Sequence, residues 1–511
     1  MTGANHLIDG LWAGFAGREP AVFAELGDGR HYTYADLNAV SARFAAGLIE
    51  LGVRPGDRVA AQVEKSIEAL MLYLGTVRAG GVFLPLNTAY TPAEIGYFVG
   101  DAEPRLLVCD PARAEALRPI AEGVGARVET LGGSKGGSVP EGSLLGLIPD
   151  EAEGFSNVPR GPDDLAAILY TSGTTGRSKG AMLSHDNLLS NAKVLAKTWR
   201  FTGDDVLIHA LPIFHTHGLF VASNTVIATA GRLIWMEKFD VDAVVAALPR
   251  ATAMMGVPTF YTRLLADPRL DRGLTRDMRL FISGSAPLLA ETHRQWQERT
   301  GHAILERYGM TECSMNTSNP YDGERRAGTV GFPLEGVELR ITEPETGRAL
   351  QQGEIGMIEV RGPNIFKGYW RMPEKTAEEL RADGWFITGD LGMIDDRGYV
   401  VIVGRGKDLI ITGGFNVYPK EVEGEIDRIP GVVESAVIGV PHPDFGEGVV
   451  AVVVPETGAG LSEKDILGPL AERLAKFKQP KRVIFAEALP RNTMGKVQKK
   501  ELRDQHAGTF G

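Results

Sequence analysis

The chain has 511 residues, more than one ordinary core organises, so two or more packed domains are expected. Hydrophobic residues make up 43% and charged residues 23%, which excludes both a disordered polymer and a membrane-embedded one. A net charge of -11 excludes general affinity for nucleic acid and leaves room only for local basic phosphate sites.

Cys109 and Cys313, the two cysteines, stand far apart and offer neither a disulfide framework nor a cysteine metal cluster, which fits a reducing cytoplasm. The first fourteen residues lack the basic stretch and long apolar core of a secretory signal. Apolar runs such as 69–74 break far short of the roughly 20 residues that span a bilayer, so no membrane partner is expected.

In chain order, apolar spacing predicts a helix over 35–51 ending at Gly52, a strand over 58–63, a helix over 66–79 stopped by Gly80-Gly81, and a strand over 82–86. Helix alternating with strand predicts a layered α/β architecture. Residues 132–142, rich in glycine and serine, read as an exposed loop. A strand-like run follows at 165–170, and a helix begins near Pro258.

Toward the C-terminus, 421–427 reads as helix, 433–440 and 449–454 as strands, and 462–477 as helix, which makes a small α+β unit. The turn-like Gly404-Arg405-Gly406-Lys407-Asp408 precedes it. The expected organisation is therefore a large layered α/β body over 1–406 joined by a hinge to a smaller α+β domain over 407–511.

The strand-like run enters Thr171-Ser172-Gly173-Thr174-Thr175-Gly176-Arg177-Ser178-Lys179-Gly180. Glycines let backbone N–H groups converge on phosphate oxygens, hydroxyls add donors, and Lys179 neutralises charge, so the segment suits a polyphosphate. It lacks the spacing of a Walker loop. A lone glycine-rich loop is ordinarily a surface turn, but ten consecutive residues of this character are not.

Five further segments follow in order: Gly284-Ser285-Ala286-Pro287, Tyr308-Gly309-Met310-Thr311-Glu312, Thr388-Gly389-Asp390, Gly404 to Asp408, and Asn492-Thr493-Met494-Gly495-Lys496. Together with the loop they resemble the signature motifs of the adenylate-forming superfamily, which includes acyl-CoA synthetases, adenylation domains and beetle luciferases. The resemblance covers nearly the whole chain and implies the adenylate-forming enzyme fold. It also implies ATP and coenzyme A as co-substrates, Mg²⁺ as cofactor, and a carboxylic acid as substrate.

By that resemblance, Thr171 to Gly176 and Lys179 hold the phosphates of ATP, Ser285, Ala286 and Pro287 line the adenine side, and Tyr308 stacks on the base. Glu312 holds Mg²⁺ and Thr311 donates to the phosphate of the intermediate. Asp390 accepts from the ribose hydroxyls and Arg405 supports them. Lys496 is the catalytic lysine, a cation placed where negative charge builds on the α-phosphate. Acetylation of Lys496 by a lysine acetyltransferase would remove that charge. Lys407 matches the hinge, and Gly413, Gly414 and Phe415 shape a tunnel for the pantetheine arm of coenzyme A.

The acid pocket is expected among residues 214–218, 257–265 and 283–287, with Thr216, His217 and Met315 lining it. Arg263 follows Thr259 by four on one helix face, so with His217 it could pair with a second carboxylate. An unpaired buried carboxylate costs several kcal/mol, so such a cation favours a dicarboxylate over plain acyl chains. The run from Glu306 to Ser318 looks like the malonyl-CoA synthetase branch, which implies malonate or its 2-methyl homologue. Cys313 departs from the threonine common in the family. A ligase for another small or medium acid, a luciferase-like oxidoreductase and a non-catalytic nucleotide-binding module are the alternatives.

Overall fold

Thr33 caps the helix Tyr34–Glu50 with a reciprocal box: its hydroxyl accepts from the Asp36 amide, and the Asp36 carboxylate accepts from the Thr33 amide. Ser66 caps Ile67–Arg78 through the Ala69 amide. The strands Arg58–Gln62 and Val82–Pro85 follow these helices and pair in parallel, as the alternation predicts. The computed structural model describes residues 4–132, 141–171, 178–413, 415–492 and 495–511. Most of the expected loop at 132–142 lies outside them, as do Ser172, Gly173, Thr174, Thr175, Gly176, Gly414, Thr493 and Met494.

The chain forms two compact units, Met1–Glu338 with Val360–Phe386, and Leu339–Glu359 with Ile387–Gly511. Among the described residues, the first unit contains a six-stranded and a nine-stranded sheet. In the six-stranded sheet Val82–Pro85 pairs in parallel with Leu165–Thr171, and Lys179–Ser184 closes the edge antiparallel. The centre of the nine-stranded sheet is parallel: Val206–His209, Ala253–Gly256, Leu280–Ser283 and Leu305–Met310 lie side by side. Three of them, Val206–His209, Ala253–Gly256 and Leu280–Ser283, are buried and largely apolar, as parallel sheets require. Nearly every motif expected to bind ligand in this unit follows the carboxyl end of such a strand, where open α/β sheets form their binding crevices.

In the second unit, Val432–His442 and Gly446–Pro455 form a long antiparallel pair, and the free edge of Gly446–Pro455 carries both Ile410–Thr412, antiparallel, and Arg482–Phe485, parallel. Alternate residues feed two cores. Val437, Val449, Ala451 and Val453 pack with Val422, Ile426, Ile466 and Leu470 of helices Pro419–Ile426 and Glu463–Arg473. Ala436, Ile438, Val450 and Val452 pack with Leu489 and with Leu502 of the terminal helix Lys499–His506. The helix predicted over 462–477 stops at Arg473, because Leu474 turns extended and Phe477 stacks on Phe415 with ring centroids 4.7 Å apart. Among the described residues, no helix is long and apolar enough to cross a membrane.

Candidate active site

Leu165–Thr171 delivers Thr171 to the mouth of the six-stranded sheet, and the neighbouring strand starts with Lys179. Lys179 is buried, with its ammonium 4.1 Å from the centroid of the Tyr369 ring and both oxygens of Glu379 within 3.1 Å. Tyr369 also joins this group to Glu312: its hydroxyl lies 3.0 Å from Glu312 Oε1 and contacts Glu379 Oε2. Thr171 Oγ1 is 3.5 Å from the same Glu312 oxygen. Three residues expected at the phosphates and metal, Thr171, Lys179 and Glu312, thus converge.

Burial pushes the Glu312 carboxyl above its usual range. A buried carboxylate fits Mg²⁺, a hard cation that takes one or two carboxylates and completes its shell with water and substrate phosphates. Among the described residues no group of three or more His, Cys, Asp or Glu forms a complete cage. An ion here would therefore be shared with a phosphate chain. Thr311 lines a small cavity with Tyr170, Phe214 and His215.

The adenine-side residues follow Leu280–Ser283. Ser285 has φ +70, a strained left-handed conformation, and its hydroxyl lies 3.2 Å from His217 Nδ1. Tyr308 is buried in Leu305–Met310, which turns back through Glu312 into Ser314–Ser318. Gly309 is required there, since a Cβ would sit 1.8 Å from the Ser314 carbonyl oxygen. That turn places Met315 in the interior, its carbonyl accepting from Asn191 and Asn364.

The acid-pocket candidates separate. Thr216 and His217 are buried at the start of the π-helix His217–Asn224, and among the described residues Thr216 Oγ1 and His217 Nε2 have no hydrogen-bond partner. Burial, then the nearby Arg307, holds His217 well below the usual histidine range, so its imidazole is neutral at pH 7. Arg263 is exposed in the last turn of Pro258–Leu265, whose inward face is Phe260, Tyr261 and Leu264.

Arg307, which sequence reasoning passed over, is 4% exposed, and its Nε and Nη2 have no hydrogen-bond partner among the described residues. Burial pushes it down to about 9, so it stays cationic at neutral pH. Gly284 makes room for it: a Cβ there would lie 2.4 Å from the guanidinium carbon. The available signal was Glu306-Arg307, two charged residues in a strand that is otherwise buried and weakly polar.

In the second unit, Asp390 is 4% exposed and faces Arg405 across antiparallel strands, with Oδ1 3.0 Å from Arg405 Nε. Lys407 follows on the one-turn 3₁₀ helix Gly406–Asp408. Burial lowers its ammonium and Arg405 and Arg503 add to this, although Asp408 opposes them. Asp408 pairs with Arg503 of the terminal helix at 2.8 Å. Gly413 has φ +57 and Phe415 is 56% exposed. Lys496 sits on a turn closed by Gly495, φ +75, and its amide donates to Asn492 Oδ1 at 2.9 Å.

This fold and these motifs define an enzyme that binds and cleaves a nucleotide, and the chain belongs to the AMP-binding enzyme family, whose model matches residues 12–370. The model for the AMP-binding enzyme C-terminal domain matches residues 421–496. A crystal structure of ATP-bound MatB from Rhodopseudomonas palustris is 61% identical, with a TM-score of 0.96 over 99% of this chain and 100% of that one. A feruloyl-CoA synthase of Amycolatopsis is 39% identical over 93% of this chain and 94% of its own length. A malonate–CoA ligase of Arabidopsis thaliana is 34% identical over 93% of this chain and 85% of its own.

Proposed function

We propose that this protein is an ATP-dependent acid–CoA ligase that acts on malonate or its 2-methyl homologue and works in the cytoplasm. The observation that carries the substrate is Arg307. A cation held in the interior, whose Nε and Nη2 have no hydrogen-bond partner among the described residues and which lies near a neutral His217, suits an anionic carboxylate. A malonate–CoA ligase among the relatives agrees with this reading.

One carboxylate of the acid pairs with Arg307, and the other attacks the α-phosphorus of ATP. The bond to the bridging oxygen breaks, pyrophosphate leaves, and an acyl-adenylate remains. Lys179 and Thr171 position the phosphates, Thr311 donates to the α-phosphate, and Tyr308, Ser285, Ala286 and Pro287 hold the adenine. Asp390 accepts from the ribose hydroxyls, with Arg405 fixing its orientation. Glu312 would hold Mg²⁺, which when bound supplies charge neutralisation at the phosphates.

Lys496 stabilises the charge that builds on the α-phosphate, and acetylation there would halt this step. The domain after Lys407 then presents Gly413, Gly414 and Phe415 to the pantetheine arm. The thiol sulfur of coenzyme A attacks the acyl carbonyl, its proton goes to solvent, and AMP departs. Met315 and Thr216 bound the space next to the acid's central carbon.

A substrate panel tests the assignment. With pyrophosphate and thioester both measured, malonate and methylmalonate should exceed acetate and ferulate in kcat/KM. Better turnover of either monocarboxylate would refute the dicarboxylate reading. Arg307→Ala should raise the malonate KM with ATP affinity retained, and Arg263→Ala, altering an exposed group, should have the smaller effect. The reverse order would move the carboxylate site to Arg263.

A further inference from the structure

The cluster around Lys179 contains an anion that the reaction above does not use. Glu379 is the last residue of helix Pro373–Glu379, and its oxygens lie 2.9 and 3.1 Å from the Lys179 ammonium. Lys375 adds a second ammonium at 3.0 Å, and the Tyr369 hydroxyl contacts the same carboxylate. Burial alone would raise the Glu379 carboxyl, but Tyr369, Lys179 and Lys375 hold it below its usual range. The helix itself gives Glu379 no support, because an anion in the last turn meets the negative end of the macrodipole. Side-chain exposures of 9% for Lys179 and 20% for Glu379 shield the pair from the solvent that weakens surface ion pairs.

We propose that Glu379 is an internal counter-anion, which Lys179 exchanges for the polyphosphate of ATP and takes back when pyrophosphate leaves. This rests on the phosphate role assigned to Lys179 above. Around Tyr369, Lys179 pairs with Glu379, and Lys375 with Glu378 and Glu379, while Glu312 lies across the ring hydroxyl, so both ammoniums are already neutralised without ligand. An arriving phosphate chain competes with Glu379 for one ammonium and is repelled by it. A departing pyrophosphate leaves a buried lysine that Glu379 neutralises at once, which lowers the cost of release. Glu379 therefore holds down affinity for both nucleotide and product, and speeds the departure that commits the adenylate.

Calorimetric titration of the full chain with pyrophosphate, and with MgATP in the absence of acid, tests the exchange. Glu379→Gln keeps the shape and removes the charge. It should tighten both ligands by about fivefold or more. Glu379→Ala should move them in the same direction. Lys179→Ala should weaken both, and adding Glu379→Gln to it should tighten them less than Glu379→Gln does alone. A gain in affinity is diagnostic, since loss of a merely structural contact would weaken binding. Unchanged or weaker binding in both Glu379 variants, with Lys179→Ala still weakening it, overturns the exchange and leaves the phosphate role standing. Unchanged binding in Lys179→Ala overturns both.

Discussion

A guanidinium in the interior with no carboxylate paired to it is destabilising until something arrives to pair with it, and among the described residues Arg307 is in that position. Its recognition depends on contacts that no local pattern reveals. Ser283 pairs with Glu306 in the parallel sheet, which brings Gly284 against the next residue, and only the missing side chain at 284 leaves the space filled. Dense motifs marked Lys179, Glu312 and Lys496, and the structure brings Lys179 and Glu312 together at Tyr369. The burial of Arg307 was not legible, because a strand arginine is ordinarily solvated, and the sequence-based expectation named Arg263, which is exposed.

At Lys496 the expected outcome separates two half-reactions. Lys496→Ala should slow adenylate formation by about 10²- to 10³-fold, the usual cost of losing one transition-state donor, and should slow thioester formation from supplied acyl-adenylate far less. Equal losses would remove Lys496 from the first step.

Elements were legible where caps and periodicity agree, as at Thr33, Ser66 and Pro258, and less so where a distant ring decides. The helix predicted to reach 477 is shortened by the Phe415–Phe477 stack, which forms between residues 62 positions apart. Within this unit, helix Pro419–Ile426 ends at Asp427, whose carboxylate accepts from Ser435 Oγ at 2.7 Å. Burial raises the Asp427 carboxyl from its usual 3.8 to about 6. A carboxyl whose folded value lies above its unfolded one opposes folding once ionised. The cost is absent below about pH 4, grows as pH rises and is complete above about pH 6. Asp427→Asn should therefore stabilise the protein at pH 8 by on the order of 1 kcal/mol and make little difference at pH 4. Thermal melts at the two pH values check this, and an equal shift at both would refute it.

Across the whole molecule, the layered α/β character and the small C-terminal unit were legible from alternation alone. The exact partition was not: the compact units interleave, because residues 339–359 pack with the C-terminal part of the chain. Sequence order cannot display such an excursion. If Lys407 is the hinge, proline there fixes one backbone angle while fitting the first turn of a short helix. Lys407→Pro should then depress one half-reaction much more than the other, as read from pyrophosphate release and from thioester formation on supplied adenylate. Uniform loss would place the pivot elsewhere.

Gly284 ties this molecule's chemical identity to an atom it does not have. A methyl group there would evict Arg307, so Gly284→Ala should forfeit malonate turnover while nucleotide affinity survives. One hydrogen in place of a side chain thus decides whether the interior can hold a charge at all.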